Sequence, residues 1–144
     1  MIWEEPTDQV LKDIIGTAKN VAVVGASSDI SKPSYMVFKY LQNKTSFNLF
    51  PINPKEERIA GIKAYKSLRD VLSPIDICVV FRRPEFIAEV FEDASSVNAK
   101  VLWMQLGIKN EVVAEKAIEK GMRVVQDRCI KIEHSRLFKA DNSE

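Results

Sequence analysis

VAVVGASSDISKPS, residues 21–34, is the stretch from which the fold of the chain can be deduced. It opens with four aliphatic residues, stops at Gly25, continues with small and hydroxyl residues, and reaches Pro33 at the start of an amphipathic segment. This order predicts a strand, a turn and a helix. Because both faces of a central parallel strand are covered, the lack of polar alternation before Gly25 places this strand inside a wound α/β sheet.

The turn after this strand is a candidate phosphate-binding loop. Gly25 has no side chain, so backbone N–H groups at the start of the next helix can approach a ligand closely. A single glycine falls short of the G-x-G-x-x-G fingerprint, and the alternative that Gly25 only ends the strand stays open. Hydroxyl groups favour the phosphate interpretation. The candidate ligand-binding residues of this loop are Gly25, Ala26, Ser27, Ser28 and Ser34.

Further apolar runs give the rest of the architecture. They start near residues 47, 76, 100 and 123, and helical patterns separate them. Successive βα units predict a Rossmann-like three-layer α/β domain with a five-stranded, mainly parallel sheet. A lead-in helix is expected over residues 7–19 and a capping tail over residues 127–144, within a single domain that spans residues 1–144.

Shorter signals refine this outline. Between residues 59 and 70 we expect a connection around Gly61, one brief extended piece and a helical turn capped by Ser67. Asn110 is the expected N-cap of a later helix, and Trp103 is expected in the core. In the tail, the spacing of Ile130, Ile132 and Leu137 predicts a helix that closes over one side of the domain.

Composition limits the classes of function. Lys and Arg total 21 against 20 Asp and Glu, so no global charge would recruit nucleic acid or an acidic membrane. The start of the chain lacks a signal-peptide pattern, and no apolar run approaches the roughly 18 residues of a membrane span, so we expect a cytoplasmic protein. Two cysteines, Cys78 and Cys129, predict neither a disulfide framework nor a metal site.

In a parallel sheet of this kind, ligands bind outside the carboxyl ends of the strands. The second strand, residues 47–52, is followed by Asn53, Pro54 and Lys55. An NAD site generally has an acidic residue here, whereas a lysine suits a ribose that bears a phosphate. Glu56 and Glu57 come too late for the strand end and are interpreted as a solvated turn.

The third and fourth strands, residues 75–81 and 100–104, complete the candidate site. Their ends supply Phe81, Arg82, Arg83, Gln105, Leu106 and Gly107. The arginines suit phosphate binding or adenine stacking; the alternative is that one is solvated and the other pairs with a helix carboxylate. These strand ends include no acid/base pair, so no catalytic residue is predicted.

Six segments of the chain carry a family resemblance. They are VAVVGAS, PINP at 51–54, YKSLRD at 65–70, VFRRPE at 80–85, LWMQLGI at 102–108 and DRCIKIEH at 127–134. Taken together, they resemble the small stand-alone coenzyme A-binding proteins of the YccU type, over roughly residues 8–138. The domain of that family is similar to the N-terminal coenzyme A-binding domain of the succinyl-coenzyme A synthetase α subunit.

The resemblance implies a coenzyme A site built from the four strand ends. It places the pyrophosphate near residues 25–28, the 3′-phosphorylated ADP end near residues 53–55 and Arg82, and residues 105–107 along the remainder. The phosphorylated histidine of the synthetase belongs to a later domain, and His134 is not expected to replace it.

Three functions stay open at this stage. The first is a module that binds coenzyme A or an acyl-CoA, as a sensor or carrier without catalysis of its own. The second is an NADP-binding redox protein, and the third is a regulatory subunit that completes an acyl-CoA ligase. The expected partner is a small-molecule nucleotide, with a homodimer or a ligase partner left open. Cys129 is either a buried structural cysteine or a partly activated thiol near the thiol end of coenzyme A.

Overall fold

The computed structural model, which describes residues 2–138, contains a central five-stranded parallel sheet. The strands in chain order are β1 (Asn20–Val24), β2 (Asn48–Ile52), β3 (Arg58–Ile59), β4 (Ile62–Lys63), β5 (Ile77–Val80), β6 (Val101–Met104) and β7 (Arg123–Val125). The central sheet has the order β2-β1-β5-β6-β7, and every neighbouring pair in it is parallel. The predicted Rossmann-like α/β fold is confirmed.

Helices cover both faces of this sheet. They are α1 (Asp8–Thr17), α2 (Pro33–Lys44), α3 (Ile87–Ser96), α4 (Glu111–Glu119) and α5 (Ile130–Phe138). The buried residues of α1, α2 and α5 pack on one face, and those of α3 and α4 pack on the other. None of the helices formed within residues 2–138 combines the length and apolarity needed to cross a membrane.

Strand β1 shows why its sequence lacks polar alternation. Val21 and Val23 pack in the cluster with α1, α2 and α5, whereas Ala22 and Val24 pack in the cluster with α3 and α4. All four side chains are buried. Since both faces are covered by helices, every position along the strand is apolar.

Side chains cap the starts of three helical elements, and the caps at Asn110 and Ser67 are as predicted. The Thr7 hydroxyl accepts a hydrogen bond from the N–H of Val10 at 3.2 Å, and Asn110 accepts one from Val113 at 3.0 Å. Ser67 caps a short 3₁₀ turn over Leu68–Asp70. Each contact satisfies a backbone donor that the first turn of a helix leaves free.

The segment after β2 is more ordered than predicted. In place of one brief extended piece, β3 and β4 form an antiparallel hairpin. Its turn has positive φ angles, +50° at Ala60 and +80° at Gly61. Ile59 is fully buried by this hairpin. The two strands are only two residues long, so their pairing depends on packing and not on a strong local pattern.

The tail forms the predicted helix, but the prediction that Ile132 packs on the domain together with Ile130 and Leu137 is wrong. Ile130 is fully buried and Leu137 packs against the same core, whereas Ile132 is 50% exposed. Residues two apart point to different sides of a helix, so Ile130 and Ile132 cannot share one face. Residues 139–144 of the predicted tail lie outside the described residues.

Candidate functional site

The strand order reverses between β1 and β5, so a crevice is expected at their carboxyl ends. Gly25 lies there with φ of +85° and donates its N–H to the carbonyl of Ile52 at 3.0 Å. A Cβ at Gly25 would lie 2.4 Å from the carbonyl oxygen of Phe81. The protein's own backbone therefore requires a glycine at this position. That its missing side chain also lets a ligand approach stays a prediction.

The loop after Gly25 makes a contact that we did not predict. Ser28 donates its N–H to Oε2 of Glu56 at 3.0 Å, and its hydroxyl lies 2.7 and 2.9 Å from the two oxygens of the same carboxylate. These hydrogen bonds, aided by the charge of Lys32, lower the pKa of Glu56. Glu56 is half-exposed on the predicted solvated turn, but the prediction missed this contact, which forms because the turn after β2 folds back towards the loop. Glu57 is exposed, as expected.

The side chain of Asn53 makes a second connection between the β1–α2 loop and the turn after β2. Its Nδ2 donates to the carbonyl of Ala26 at 2.8 Å, and its Oδ1 accepts the N–H of Lys55 at 2.8 Å. The side chain of Asn53 is thus already engaged at both ends. Pro54 is exposed at the turn beside it. Asn53 therefore shapes the site, and Lys55 is the residue of this strand end that brings charge to it.

A cavity of about 420 Å³ opens at the ends of β1 and β2, and we call it the cationic cavity. Lys55, Lys66 and Arg82 line it, and within residues 2–138 none of the three forms an ion pair. Two carboxylates of α3, Glu89 and Asp93, also line it, and Asp93 is paired with Arg69 at 2.7 Å. The unpaired cations give the cavity the charge that a phosphate group requires.

Arg82 and Arg83 share one aromatic partner. Their guanidinium carbons lie 4.3 and 5.3 Å from the centre of the Phe86 ring. Neither arginine pairs with a carboxylate of the described chain, so the alternative of pairing with a helix carboxylate is wrong. Stacking on Phe86 orients Arg82 while leaving its charge available.

A second cavity of about 550 Å³ lies on the other side of Arg82, and we call it the apolar cavity. Its walls are largely carbon, and its polar members are Arg82, Arg83 and Gln105. The lining residues are Pro33, Val37, Phe81, Arg82, Arg83, Pro84, Gln105, Leu106, Gly107, Ile108 and Cys129. Leu106 is 58% exposed at this cavity, a large apolar side chain in contact with solvent.

Gln105 and Gly107, the predicted polar groups after β6, form hydrogen bonds within the protein. Gln105 is buried, and its Oε1 accepts the N–H of Ile130 at 2.9 Å, at the first turn of α5. The N–H of Gly107 donates to Oδ1 of Asp127 at 2.7 Å. Gln105 and Gly107 line the apolar cavity, but Gln105 holds the first residue of α5 and Gly107 holds the segment between β7 and α5.

Two of the predicted site serines, Ser27 in the β1–α2 loop and Ser34 at the start of α2, are buried. Ser27 is buried and its hydroxyl accepts the N–H of Asp29 at 2.9 Å. Ser34 is buried in the first turn of α2, which has no side-chain cap and begins with Pro33. Neither serine lines the two cavities. The loop is thus held by its own hydrogen bonds beside the crevice.

The two cysteines and the histidine have different surroundings. Cys78 is fully buried in β5, and burial raises the pKa of its thiol to about 12. Cys129 is 8% exposed and lies in the wall of the apolar cavity. His134 lines neither cavity; its Nδ1 lies 2.8 Å from the hydroxyl of Tyr40. Cys129 is therefore the thiol that a ligand in the apolar cavity could approach.

The sequence analysis did not identify Lys66, or Glu89 and Asp93 of α3, as residues of the cationic cavity. Lys66 reaches it because Tyr65 forms a parallel bridge with Ile52, which brings the following residue alongside the end of β2. Glu89 and Asp93 reach it because α3 packs over β1 and β5. Only the tertiary packing brings these residues to the cavity, and no local sequence signal identifies them.

Comparison with known sequences agrees with this geometry. Residues 19–135 match the family described as the CoA binding domain. The protein YneT of Bacillus subtilis is 37% identical over 132 residues, which are 92% of this chain and 97% of YneT. The α subunit of acetate–CoA ligase [ADP-forming] II of Pyrococcus furiosus is 27% identical over 130 residues. This chain covers 28% of that subunit, so the match concerns one part of a longer protein.

Solved structures give the same result. A hypothetical protein from Pyrococcus horikoshii superposes with a TM-score of 0.86 at 34% identity, covering 92% of this chain and 93% of that one. A Thermus thermophilus protein superposes with a TM-score of 0.87, also at 34% identity, covering 92% of this chain and all of that one. The resemblance to stand-alone coenzyme A-binding proteins is confirmed, and the chain belongs to the CoA binding domain family.

Proposed function

We propose that this protein binds coenzyme A or an acyl-CoA at the carboxyl edge of its sheet, as a binding module without catalysis of its own. The observation that carries the proposal is the position of Arg82, which lines both the cationic cavity and the apolar cavity. Coenzyme A also has two parts, a charged 3′-phosphorylated ADP and a long uncharged pantetheine arm. A ligand that spans Arg82 would place one part in each cavity.

The cationic cavity suits the nucleotide part. Lys55, Lys66 and Arg82 provide three positive charges for the pyrophosphate and the 3′-phosphate, and charge-assisted hydrogen bonds to phosphate are among the strongest in proteins. An acidic residue at the end of β2, which would favour an unphosphorylated ribose, is replaced by Lys55. These features support a nucleotide that carries an extra phosphate.

The apolar cavity suits the pantetheine arm. Pro33, Val37, Leu106 and Ile108 would cover its methylene and methyl groups. Burial of apolar surface contributes roughly 25 cal/mol for each Å², so this part adds affinity without specific charge. The thiol end would then lie towards Cys129.

The side chains of the two cavities support a binding role without catalysis. They provide cations and aliphatic groups, the thiol of Cys129, and the carboxylates of Glu89 and Asp93, of which Asp93 is already paired with Arg69. The side-chain amides of Asn53 and Gln105 already form structural hydrogen bonds. We expect no thioester hydrolysis or acyl transfer, and little change of CoA affinity in Cys129→Ser. Intact-mass analysis after incubation with acetyl-CoA or CoA disulfide tests this. An adduct that is absent from Cys129→Ser would contradict the binding-module proposal.

Calorimetric titration with CoA, dephospho-CoA, NADP and NAD tests the ligand assignment. Dephospho-CoA lacks the 3′-phosphate, so it should bind more weakly than CoA by about 1–3 kcal/mol, the range for hydrogen bonds to charged groups. NAD should bind more weakly still. Tight binding of NADP or NAD without a response to CoA would overturn the proposal and favour the redox interpretation.

A ligase-linked role is a second candidate, and the comparisons favour it. Archaeal ADP-forming acetate–CoA ligases contain a segment similar to this chain, for example in Pyrococcus furiosus and Methanocaldococcus jannaschii. We propose that this protein would act there as a CoA-binding subunit, with the chemistry on another chain. Co-purification of a second protein with ligase activity would support this role, and a chain that recovers alone and binds CoA would favour the independent module.

A further inference from the structure

The carboxylate of Glu56 occupies the position where the β1–α2 loop offers donors to an anion. Ser28 presents its N–H and its hydroxyl, and both donate to Glu56 at 2.7–3.0 Å. A backbone N–H beside a hydroxyl, at the loop between a central strand and a helix, is an arrangement that binds phosphate oxygens. Glu56 therefore fills this position with an anion from the protein itself.

We propose that Glu56 is an internal substitute for phosphate, which a phosphorylated ligand must displace from Ser28, and that it thereby limits the affinity of the site. The inference rests on the proposed function and extends it, because Ser28 and Glu56 line neither cavity and the ligand must bring a phosphate to this loop beside the cationic cavity. A phosphate near Ser28 competes with the carboxylate for the same two donors and is repelled by its charge. Binding therefore includes the cost of breaking the Ser28–Glu56 contact.

The surroundings of Glu56 allow this displacement. It follows an exposed turn at residues 54 and 55, and its neighbour Glu57 is exposed as well. Its own contacts to the rest of the protein, apart from Ser28, are a 3.4 Å hydrogen bond from its N–H to the carbonyl of Asn53 and the nearby charge of Lys32. A carboxylate that is held through one serine on an exposed turn can leave without disturbing the core.

Three variants of the complete chain test the inference. Glu56→Ala removes the competing carboxylate, and Glu56→Gln removes its charge while keeping an acceptor for Ser28. Glu57→Ala is the matched control, since it removes the same charge from the adjacent exposed residue, which makes no side-chain hydrogen bond or ion pair to residues 2–138. Thermal unfolding of each variant establishes that the fold is retained.

The titrants are CoA, ADP and pantetheine. Glu56→Ala should bind CoA and ADP about threefold to tenfold more tightly than the unchanged protein, the equivalent of one ordinary hydrogen bond. Glu56→Gln should show a smaller gain, and Glu57→Ala a gain of less than about twofold. Pantetheine has no phosphate, so its binding should be the same in all four proteins.

The outcomes separate this inference from the proposed function. Unchanged or weaker CoA binding in Glu56→Ala, in a protein that binds CoA when unaltered, would overturn the inference alone. It would mean that Glu56 organises the loop for the ligand. Equal gains in Glu56→Ala and Glu57→Ala would also overturn it, because they would reflect general charge. Failure of all four proteins to bind CoA and ADP would overturn both the inference and the proposed function.

Discussion

The charged side chains at the amino edge of the central sheet differ in their pairing from the cations beside the two cavities at its carboxyl edge. At the amino edge, Oδ2 of Asp76 accepts the N–H groups of Lys19 and Asn20, each at 2.9 Å, and Oδ1 lies 3.5 Å from Lys100. Arg123, at the start of β7, is paired with Asp13 at 2.7 Å. At the carboxyl edge, Lys55, Lys66, Arg82 and Arg83 form no ion pair with any of residues 2–138.

This difference separates charges that stabilise the fold from charges that are available to a ligand. A carboxylate that accepts two backbone hydrogen bonds has its partners inside the protein, and removing it weakens the native state. Cations without an ion pair beside a cavity contribute little to stability, since no ion pair is lost when they are removed. Substitutions at the two edges should therefore have opposite effects on stability and on affinity.

The largest loss of stability is expected at Gly25, where the backbone of Phe81 lies very close at the carboxyl edge. Gly25→Ala would place a Cβ 2.4 Å from the carbonyl oxygen of Phe81 at a φ of +85°. Phe81 directly follows β5 and its N–H donates to the carbonyl of Val24 at 2.8 Å, so its backbone cannot move aside easily. We therefore expect a loss of about 3 kcal/mol or more in the free energy of unfolding. Urea denaturation measures it.

Gly61→Ala is the control for Gly25→Ala. Gly61 has nearly the same φ, +80°, but open space around the added Cβ. Gly61→Ala should lose only about 1 kcal/mol in the free energy of unfolding, from backbone strain alone. Equal losses for the two variants would show that the contact with Phe81 is unimportant and that strain alone requires Gly25.

The next prediction concerns Arg82, where we expect a loss of CoA affinity without a loss of stability. Arg82→Met should weaken CoA binding by about 1–3 kcal/mol, because charge-assisted bonds to phosphate are lost, while the melting temperature stays nearly constant. Arg123→Met, at the amino edge, should leave CoA affinity unchanged. Calorimetric titration and thermal unfolding of both variants test the comparison. It fails if Arg123→Met reduces affinity as much as Arg82→Met.

Asp76→Ala should show the reverse pattern, lower stability with unchanged CoA affinity. Burial acts to raise the pKa of Asp76, but hydrogen bonds from Asn20 and Lys19 and the charge of Lys100 outweigh it, so the pKa lies below its usual value. A carboxyl whose pKa is lowered in the folded state stabilises the fold above its unfolded pKa and loses this effect as the pH falls through the folded value.

The expected loss in Asp76→Ala is about 1–2 kcal/mol at pH 7. In acid, below about pH 4, the unfolding free energies of the variant and the unchanged protein should converge. Urea denaturation across this pH range is the measurement. A difference that stays constant into acid would mean that Asp76 acts through packing and not through its charge.

The smallest effect concerns the apolar cavity. Leu106→Glu should weaken CoA binding about threefold, because a charged group replaces an apolar contact for the pantetheine arm, and it should leave ADP binding unchanged. Leu72→Glu is the matched control, since Leu72 is 97% exposed and lines neither cavity. If the two variants lower the affinity for CoA and ADP alike, the apolar cavity does not hold the arm.

The sequence determined the fold because its signals are local and agree with one another. The continuous apolar run at residues 21–24 required a strand covered on both faces, and repeated βα units left a parallel sheet as the simple arrangement. The cap at Asn110 could be predicted because its side chain and the backbone N–H of Val113, from which it accepts a hydrogen bond, lie three residues apart. The positions of Arg82 and Lys55 at strand ends followed from the same pattern.

The tertiary structure decided how the polar groups of the site are used. Glu56 reaches Ser28 across 28 positions of sequence, and Gln105 reaches Ile130 across 25, so no local pattern reveals that these groups are already engaged. Packing also placed Lys66 beside the end of β2. The sequence thus pointed to the carboxyl edge of the sheet as the candidate site. Which polar groups at that edge are hydrogen-bonded within the protein, and which charges are unpaired, was decided only by the tertiary structure, since it depends on contacts between residues far apart in sequence.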